Sequence, residues 1–366
     1  MCMGDSMSLL AIAPRLPKLV LSGGALLFAT ALCATGSVAT AQAGALGHKK
    51  ANFTQIDVPG ASETLASGID GEGRIAGSYI DDAGTHGFVQ ATDGTIATFD
   101  PPGSIGTTVT GMSPKGTAVG TFATEAGQNG LEDYHGFVRT SSGTIEVIDA
   151  PGAGSMDGQG TAANDINAKG TVAGFYIDSN YVSHGYLQTA DGSFVEFDAP
   201  GAGSQHEQGT VAYGISPKGV VVGGYTDSSG QPHSFVRTVD GTITDFDPPG
   251  LNESSAIGVN GKGMIAGVAG SEGYVRTADG AITTFNVSDA SVTSVARMNM
   301  KGTVVGNYND SGNVYHGYMR SSRGKITSFD PPGSEFTQVN GINVKGAIVG
   351  YYLDDNSQGH GFLRSK

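Results

Sequence analysis

Histidine titrates near neutral pH and supplies nitrogen ligands to transition metals, and this chain places it at regular intervals. His86, His135, His184, His233, His316 and His360 each open a His-(Gly/Ser)-aromatic phrase, and a decayed copy reads Glu272-Gly273-Tyr274. Aspartates keep step with them. Asp57, Asp100, Asp149, Asp198, Asp247 and Asp330 each open Asp-x-Pro-Gly, with Asn286 in the decayed copy. Imidazole beside carboxylate serves acid–base chemistry, metal ligation or cross-bracing. Regular repetition favours bracing, because equivalent groups a whole repeat apart cannot share one ion unless they line an axis. Each His is expected to hydrogen-bond a loop carboxylate, for instance Asp81, Asp178, Asp227, Asp310 or Asp354, and so to lock that loop. The Asp-x-Pro-Gly aspartates read as Asx turns rather than calcium ligands, since no Asp-x-Asp-x-Asp-Gly loop occurs and Pro and Gly complete a turn. No metal, cofactor or catalytic residue is expected: the sequence has no Gly-x-Ser-x-Gly elbow, phosphate loop or His-Glu-x-x-His motif.

Ligand binding is read from the residues that break the repeat. Sugar rings pack on exposed aromatic faces flanked by hydrogen-bonding groups. Tyr134 lies in the longest insertion, "ATEAGQNGLEDYHG", next to His135; Tyr181 precedes His184; His206 lies in the long segment "DAPGAGSQHEQGTV". Tyr134, His135, Tyr181, His184 and His206 form the expected binding site.

A third phrase, Ile-Asn-x-Lys-Gly around Asn343, recurs at Asp70, Ser113, Asn167, Ser216, Asn260 and Asn299, with Gly three positions later and an aromatic six beyond that, except at Ala269. Between the landmarks run short segments of alternating apolar residues rich in Val, Ile, Thr, Tyr and Phe, which is strand periodicity. Each repeat therefore holds four strands, A ("TQVNGIN"), B ("AIVGYY"), C ("HGFVRT") and D ("GTITDFD"), with tight A–B and C–D turns. The strand-C arginines, which alternate with Gln90 and Gln188, read as a polar strand face, and the A–B lysines as solvated turn residues.

Spacings locate the variable surface. His (or Glu272) to the next Asp (or Asn286) is always 14 residues, whereas aromatic to His varies from 3 to 13 and Asp to the strand-A polar residue is 13 or 18. All variation thus falls in the B–C and D–A connections, which leave an up-and-down sheet on the same side. Insertions of this kind gather on binding faces.

Seven copies of 40-odd residues with four strands each predict an all-β, seven-bladed β-propeller rather than a linear solenoid. The sequence ends after a seventh strand C, and an orphan D strand, "NFTQIDVPG", stands near its start. The N-terminal strand is thus predicted to complete the last blade and close the ring, which removes exposed edges. The His-Gly-Phe, Ile-Asn-x-Lys-Gly and Phe-Asp-x-Pro-Gly phrases resemble the bacterial extracellular repeat proteins called the HAF family, after a His-Ala-Phe signature whose middle position is Gly or Ser here. The resemblance spans residues 52 to 366; it implies export and repetition, and no agreed activity.

Composition bounds the rest. Residues 1–43 read as a signal peptide, with cleavage after Ala43, residues 44–51 as a linker, and residues 52–366 as one propeller. Both cysteines, Cys2 and Cys33, fall in the leader. A secreted, periplasmic or extracellular chain follows, without stable membrane insertion. Net charge is −14, which argues against nucleic acid. The expected function is a monomeric, non-enzymatic module that binds a glycan or an extracellular protein through the insertion face. The alternative is a secreted propeller enzyme, a lyase or hydrolase on sugars or lactones; a scaffold with no specific ligand is the third reading.

Overall fold

Five-residue turns organise the chain. In the computed structural model, which describes residues 51–126, 131–251 and 253–365, every A–B and C–D connection is five residues long, with glycine at positive φ in its fourth position. An L side chain is strained in that conformation, so the glycine sets where one strand stops and the next returns. Residues 1–50, which hold the expected leader, most of the expected linker and both cysteines, lie outside the described residues.

Among the described residues there are 28 strands and no helix. β1 (Asn52–Ile56) precedes a first A-B-C-D run, β2 (Glu63–Ile69), β3 (Ile75–Asp81), β4 (Gly84–Gln90) and β5 (Ile96–Phe99). The second run is β6 (Gly106–Met112), β7 (Ala118–Ala126), β8 (Leu131–Arg139) and β9 (Ile145–Ile148), and the third β10 (Gly160–Ile166), β11 (Val172–Ile177), β12 (Ser183–Gln188) and β13 (Phe194–Phe197). The fourth is β14 (Gly209–Ile215), β15 (Val221–Thr226), β16 (Pro232–Arg237) and β17 (Ile243–Phe246), and the fifth β18 (Ser254–Val259), β19 (Ile265–Ala269), β20 (Glu272–Arg276) and β21 (Ile282–Phe285). β22 (Ala290–Met298), β23 (Val304–Asp310), β24 (Tyr315–Arg320) and β25 (Ile326–Phe329) make the sixth. β26 (Phe336–Ile342), β27 (Ile348–Leu353) and β28 (Gly359–Ser365) make the last, whose fourth strand is β1, paired antiparallel with β28 in the register Phe53↔Arg364, Thr54↔Leu363 and Gln55↔Phe362.

The runs are not isolated sheets. Single-residue parallel bridges, Glu63↔Gly359, Gly160↔Tyr134 and Ser183↔Gly209, fuse several, leaving sheets of eight, twelve, four and four strands. The architecture is all-β and propeller-like.

Each run has the same core. The aromatic of the His phrase, for example Phe88, Phe137, Phe235, Tyr318 or Phe362, is fully buried. Such a ring contributes about 2–3 kcal/mol by burial. It lies against a strand-B glycine; a Cβ on Gly223 would stand 2.7 Å from Phe235 and closer still to the Val211 carbonyl.

Neighbouring runs are held by polar and aromatic contacts. Asn167, Asn299 and Asn343 cap their own turns through Oδ1 and donate from Nδ2 to the next run, to Ser216 O (3.3 Å), Asn343 O (3.1 Å) and Asp70 O (3.0 Å). The strand-C arginines are not a bare polar face. Arg139, Arg237, Arg276, Arg320 and Arg364 each lie 4.6–5.0 Å over a strand-D phenylalanine of the preceding run, Phe99, Phe197, Phe246, Phe285 and Phe329. Gln90 and Gln188 stand where that preceding strand carries Ile56 and Ile148. The cation is present where there is a ring to stack on and absent where there is none, and in the first run the matching strand is β1.

Candidate functional site

The 14-residue interval places each His beside the Asp that follows it, because the five-residue C–D turn folds that Asp back against the start of strand C. His Nδ1 meets a carboxylate oxygen at 2.7 Å for His86–Asp100, His135–Asp149 and His233–Asp247, 3.0 Å for His184–Asp198 and 2.9 Å for His316–Asp330. His360 takes Asp57, just past β1, at 2.8 Å. Nε2 of each ring lies 3.3–3.8 Å from a second carboxylate, Asp81, Asp133, Asp178, Asp227, Asp310 or Asp354. A strand-B aromatic backs every ring, at centroid separations of 5.0–5.2 Å. The expected brace to the B–C loops is there. The reading of Asp-x-Pro-Gly as an Asx turn is not: those turns close through the backbone, as in Ala153 N–H to Ala150 O (3.0 Å), while the carboxylate takes the imidazole. Asx geometry appears instead in the B–C loops, where Asp227 Oδ1 accepts from Ser229 and Gln231 N–H at 2.8 Å each.

The decayed run shows what the brace requires. Glu272 replaces His, Asn286 replaces Asp and Ala269 replaces the aromatic; Asn286 Nδ2 donates to Glu272 Oε1 at 3.2 Å. Donor and acceptor have exchanged strands and the bond survives without an imidazole. Cross-bracing explains that exchange and proton transfer does not.

Three of the braces favour the charged imidazole. The Asp149 hydrogen bond raises His135 above its ordinary pKa despite burial, and Asp198 does the same for His184. At His233 burial opposes the charged form more strongly, yet Asp247 and Asp227 together still raise it. Backbone N–H of Gln231, with the Ser229 hydroxyl, brings Asp227 down to about 2. A raised histidine contributes stability that is complete below its unfolded value of about 6.5 and is lost as pH climbs through the folded value. Asp227 contributes above about pH 4 and loses its part only as pH falls toward its folded value. Thermal melting is therefore expected to be higher at about pH 6 than at about pH 8. His135→Asn, His184→Asn and His233→Asn combined should flatten that slope; a wild-type melting temperature equal at both would contradict charged braces.

The five expected binding residues separate into three groups. His135 and His184 are held between carboxylates as described. Tyr134 is a correction: at 1% exposure its ring offers no face to a sugar. The insertion lengthens β7 and β8 to nine residues each, so Tyr134 is a strand residue, on the side opposite His135, with its main chain against Gly160 and its hydroxyl donating to Glu132 (3.1 Å). Part of that insertion, residues 127–130, lies outside the described residues. Tyr181 and His206 do come together, with ring centroids 5.0 Å apart. Tyr181 also donates to Asp157 O (3.1 Å) and accepts through its carbonyl from Glu207 N–H (2.9 Å), so both long D–A connections meet at this half-buried ring. Tyr181 and Glu207 hold φ of 61° and 65°. Strain of this kind costs about 1–3 kcal/mol per residue and collects at ligand sites.

One feature of the insertion face escaped the sequence reading. A cleft of about 690 Å³ lies over the junction of β1 with the last run, lined by Gln55, Ser334, Glu335, Tyr352, Asp354 and His360 among others. Its signal was present as the orphan D strand, since Gln55 accepts from Tyr352 Oη (2.9 Å) and meets His360 Nδ1 at 3.0 Å. Among the described residues no cluster of three His, Cys, Asp or Glu is arranged to hold a metal ion, and no helix is long and apolar enough to cross a membrane.

No family model and no curated protein matches the sequence. Solved structures share its architecture. A catalytically inactive virginiamycin B lyase from Staphylococcus aureus with quinupristin superposes with a TM-score of 0.59 at 15% identity, over 87% of this chain and all of that one. BP39L lectin from Burkholderia pseudomallei gives 0.52 at 10% identity, over 83% and 97% of the two chains. Puromycin hydrolase gives 0.51 at 12% identity, covering 82% of this chain and 52% of that one. At these identities the likeness is one of fold: lyase, lectin and hydrolase are built on the same propeller framework as this chain.

Proposed function

We propose that the chain is a seven-bladed β-propeller of the HAF type, closed by β1 completing the last blade. On this reading it is exported, acts as a monomer without catalysis, and binds a glycan or an extracellular protein through the face bearing the B–C and D–A connections. Closure is supported by the β1–β28 register and by the Asn343 bond to Asp70 O, which ties the last run to the first. The observation that carries the function is the meeting of Tyr181, on the B–C connection of the third run, with His206, where two 18-residue spacings, present in only two of the seven repeats, bring an exposed imidazole and the acids Asp157 and Glu207 to that aromatic face. The lectin is a propeller that serves as precedent for sugar binding on this fold.

The enzyme alternative has the lyase and the hydrolase as its precedents. Against it stand the braced histidines, whose two nitrogens both face carboxylates, and the decayed run that dispenses with imidazole. A glycan array probed with the chain from residue 44 separates the readings. Saturable binding that weakens about tenfold or more in Tyr181→Ala and in His206→Ala, a loss of about 1.4 kcal/mol, is the expected result. Wild-type silence across the array, or variants that bind as tightly, would count against the site; turnover of a sugar or lactone would favour the enzyme.

A further inference from the structure

The opposite face carries a second cavity. The seven A strands converge on a pocket of about 160 Å³, walled by Met112, Ile166, Val259, Met298 and Ile342 and opening between Pro114, Pro217, Met300 and Val344. Its inner end is a single ion pair. Two residues before the strand-A polar position five repeats have Gly, the third has Asp165 and the sixth Arg297. These two departures meet: Arg297 Nη1 lies 3.3 Å from Asp165, and Nη2 donates to Thr110 O at 2.9 Å. Asp165 also accepts from Ile215 N–H at 3.0 Å, so its charge is fully occupied.

Among the remaining polar side chains of the wall, one is a donor without an acceptor. Asn260 is 2% exposed and lines the pocket, and its Nδ2 has no hydrogen-bond partner, unlike Asn167, Asn299 and Asn343 at the same repeat position. Leaving a buried amide N–H unpaired is costly, and a ligand acceptor would relieve that cost. Around the mouth, the residue following the rim position is an exposed lysine in six repeats, Lys115, Lys169, Lys218, Lys262, Lys301 and Lys345, and in the first it is Glu72, which Arg74 faces at 3.7 Å. Among the described residues the ion pairs of Lys and Arg are confined to Arg74 and Arg297, so these six ammonium groups are unpaired in a chain of net charge −14.

We infer that this pocket binds a small carboxylate with an apolar body. The volume resembles that of the ~150 Å³ apolar cavity that accepts benzene, the walls exclude a strongly hydrated ligand, and the donors at wall and rim call for an anion. A benzoate-sized acid meets all three conditions; a cation or a bulky sugar meets none. The site is on the A–B turn face and does not depend on the glycan reading.

Calorimetric titration of the chain from residue 44 tests it, with benzoate as probe and benzamide as the neutral isostere. Benzoate should bind saturably and about tenfold or more tighter than benzamide at low salt, with the gap narrowing as salt screens the lysines. Lys262→Gln, Lys301→Gln and Lys345→Gln combined should narrow it too; these are exposed turn positions, and an unchanged melting curve verifies the fold. Met300→Trp, which fills the mouth, should weaken both ligands. Equal affinity for acid and amide, no saturable benzoate binding, or full benzoate affinity in the triple-lysine variant would overturn the inference.

Discussion

Gly223→Ala is expected to destabilise the protein by about 3 kcal/mol or more, the upper range for overpacking, lowering the melting temperature by roughly 4–5 °C or more for a domain of this size. A Cβ at this position would lie 2.7 Å from Phe235 Cε1 and well inside van der Waals contact distance of Val211 O. Phe235 is fully buried and the carbonyl belongs to the paired strand β14, so neither can retreat without parting the sheet. The residue has no special φ; the requirement is closeness. A bulge follows in strand A, between Ala212 and Gly214. Gly77, Gly120, Gly174, Gly267, Gly306 and Gly350 meet the same two neighbours in their own runs. Gly106→Ala is the control, since nothing lies within 4 Å of a Cβ there and its melting curve should hardly move. Equal effects at the two positions, measured by thermal unfolding, would contradict this packing.

The repeat explains which parts of the molecule were legible beforehand. Invariant spacings are hairpins, so four strands per unit, their turns and the insertion face could be read from glycine and alternation alone. The histidine brace was half legible. Its B–C carboxylates can be picked out from the spacing, whereas its firmer partners, the Asp-x-Pro-Gly aspartates, read as turn residues because a local bond and one 14 residues away leave the same trace in a single sequence. Tyr134 misled for a related reason: an insertion was read as loop, but antiparallel pairing simply continued through it and drew the tyrosine inward. Two signals were visible and unread. Arg follows Phe and Gln follows Ile between adjacent repeats, and one acid and one base interrupt a column of glycines. The first becomes meaningful only when adjacent runs are laid side by side, the second only when the third and the sixth face each other.

Closure of that arrangement predicts the largest stabilisation. β1 supplies Ile56, 2% exposed in the core of the first run, Phe53 at 6.1 Å from Phe362, and, just beyond it, Asp57 for His360. The Asn343 bond to Asp70 O and the Glu63↔Gly359 bridge add to this strand, whose release exposes β28. A disulfide between the paired positions Asn52 and Ser365 should prevent that. Residues opposite each other in an antiparallel pair have Cα atoms about 4.5–5.5 Å apart, within disulfide range. Cross-linking nearly the whole chain into one loop is worth about 5 kcal/mol on the chain-entropy scale.

The deciding measurement is therefore made on Asn52→Cys/Ser365→Cys, expressed from residue 44 so that Cys2 and Cys33 are absent. The expected result is near-complete intramolecular oxidation under mild conditions, with a melting temperature that rises in the oxidised form and returns to the wild-type value on reduction. Free thiols that persist in the folded protein, or cross-links that form only between molecules, would mean that the two ends do not meet, and the ring with its insertion face would have to be abandoned.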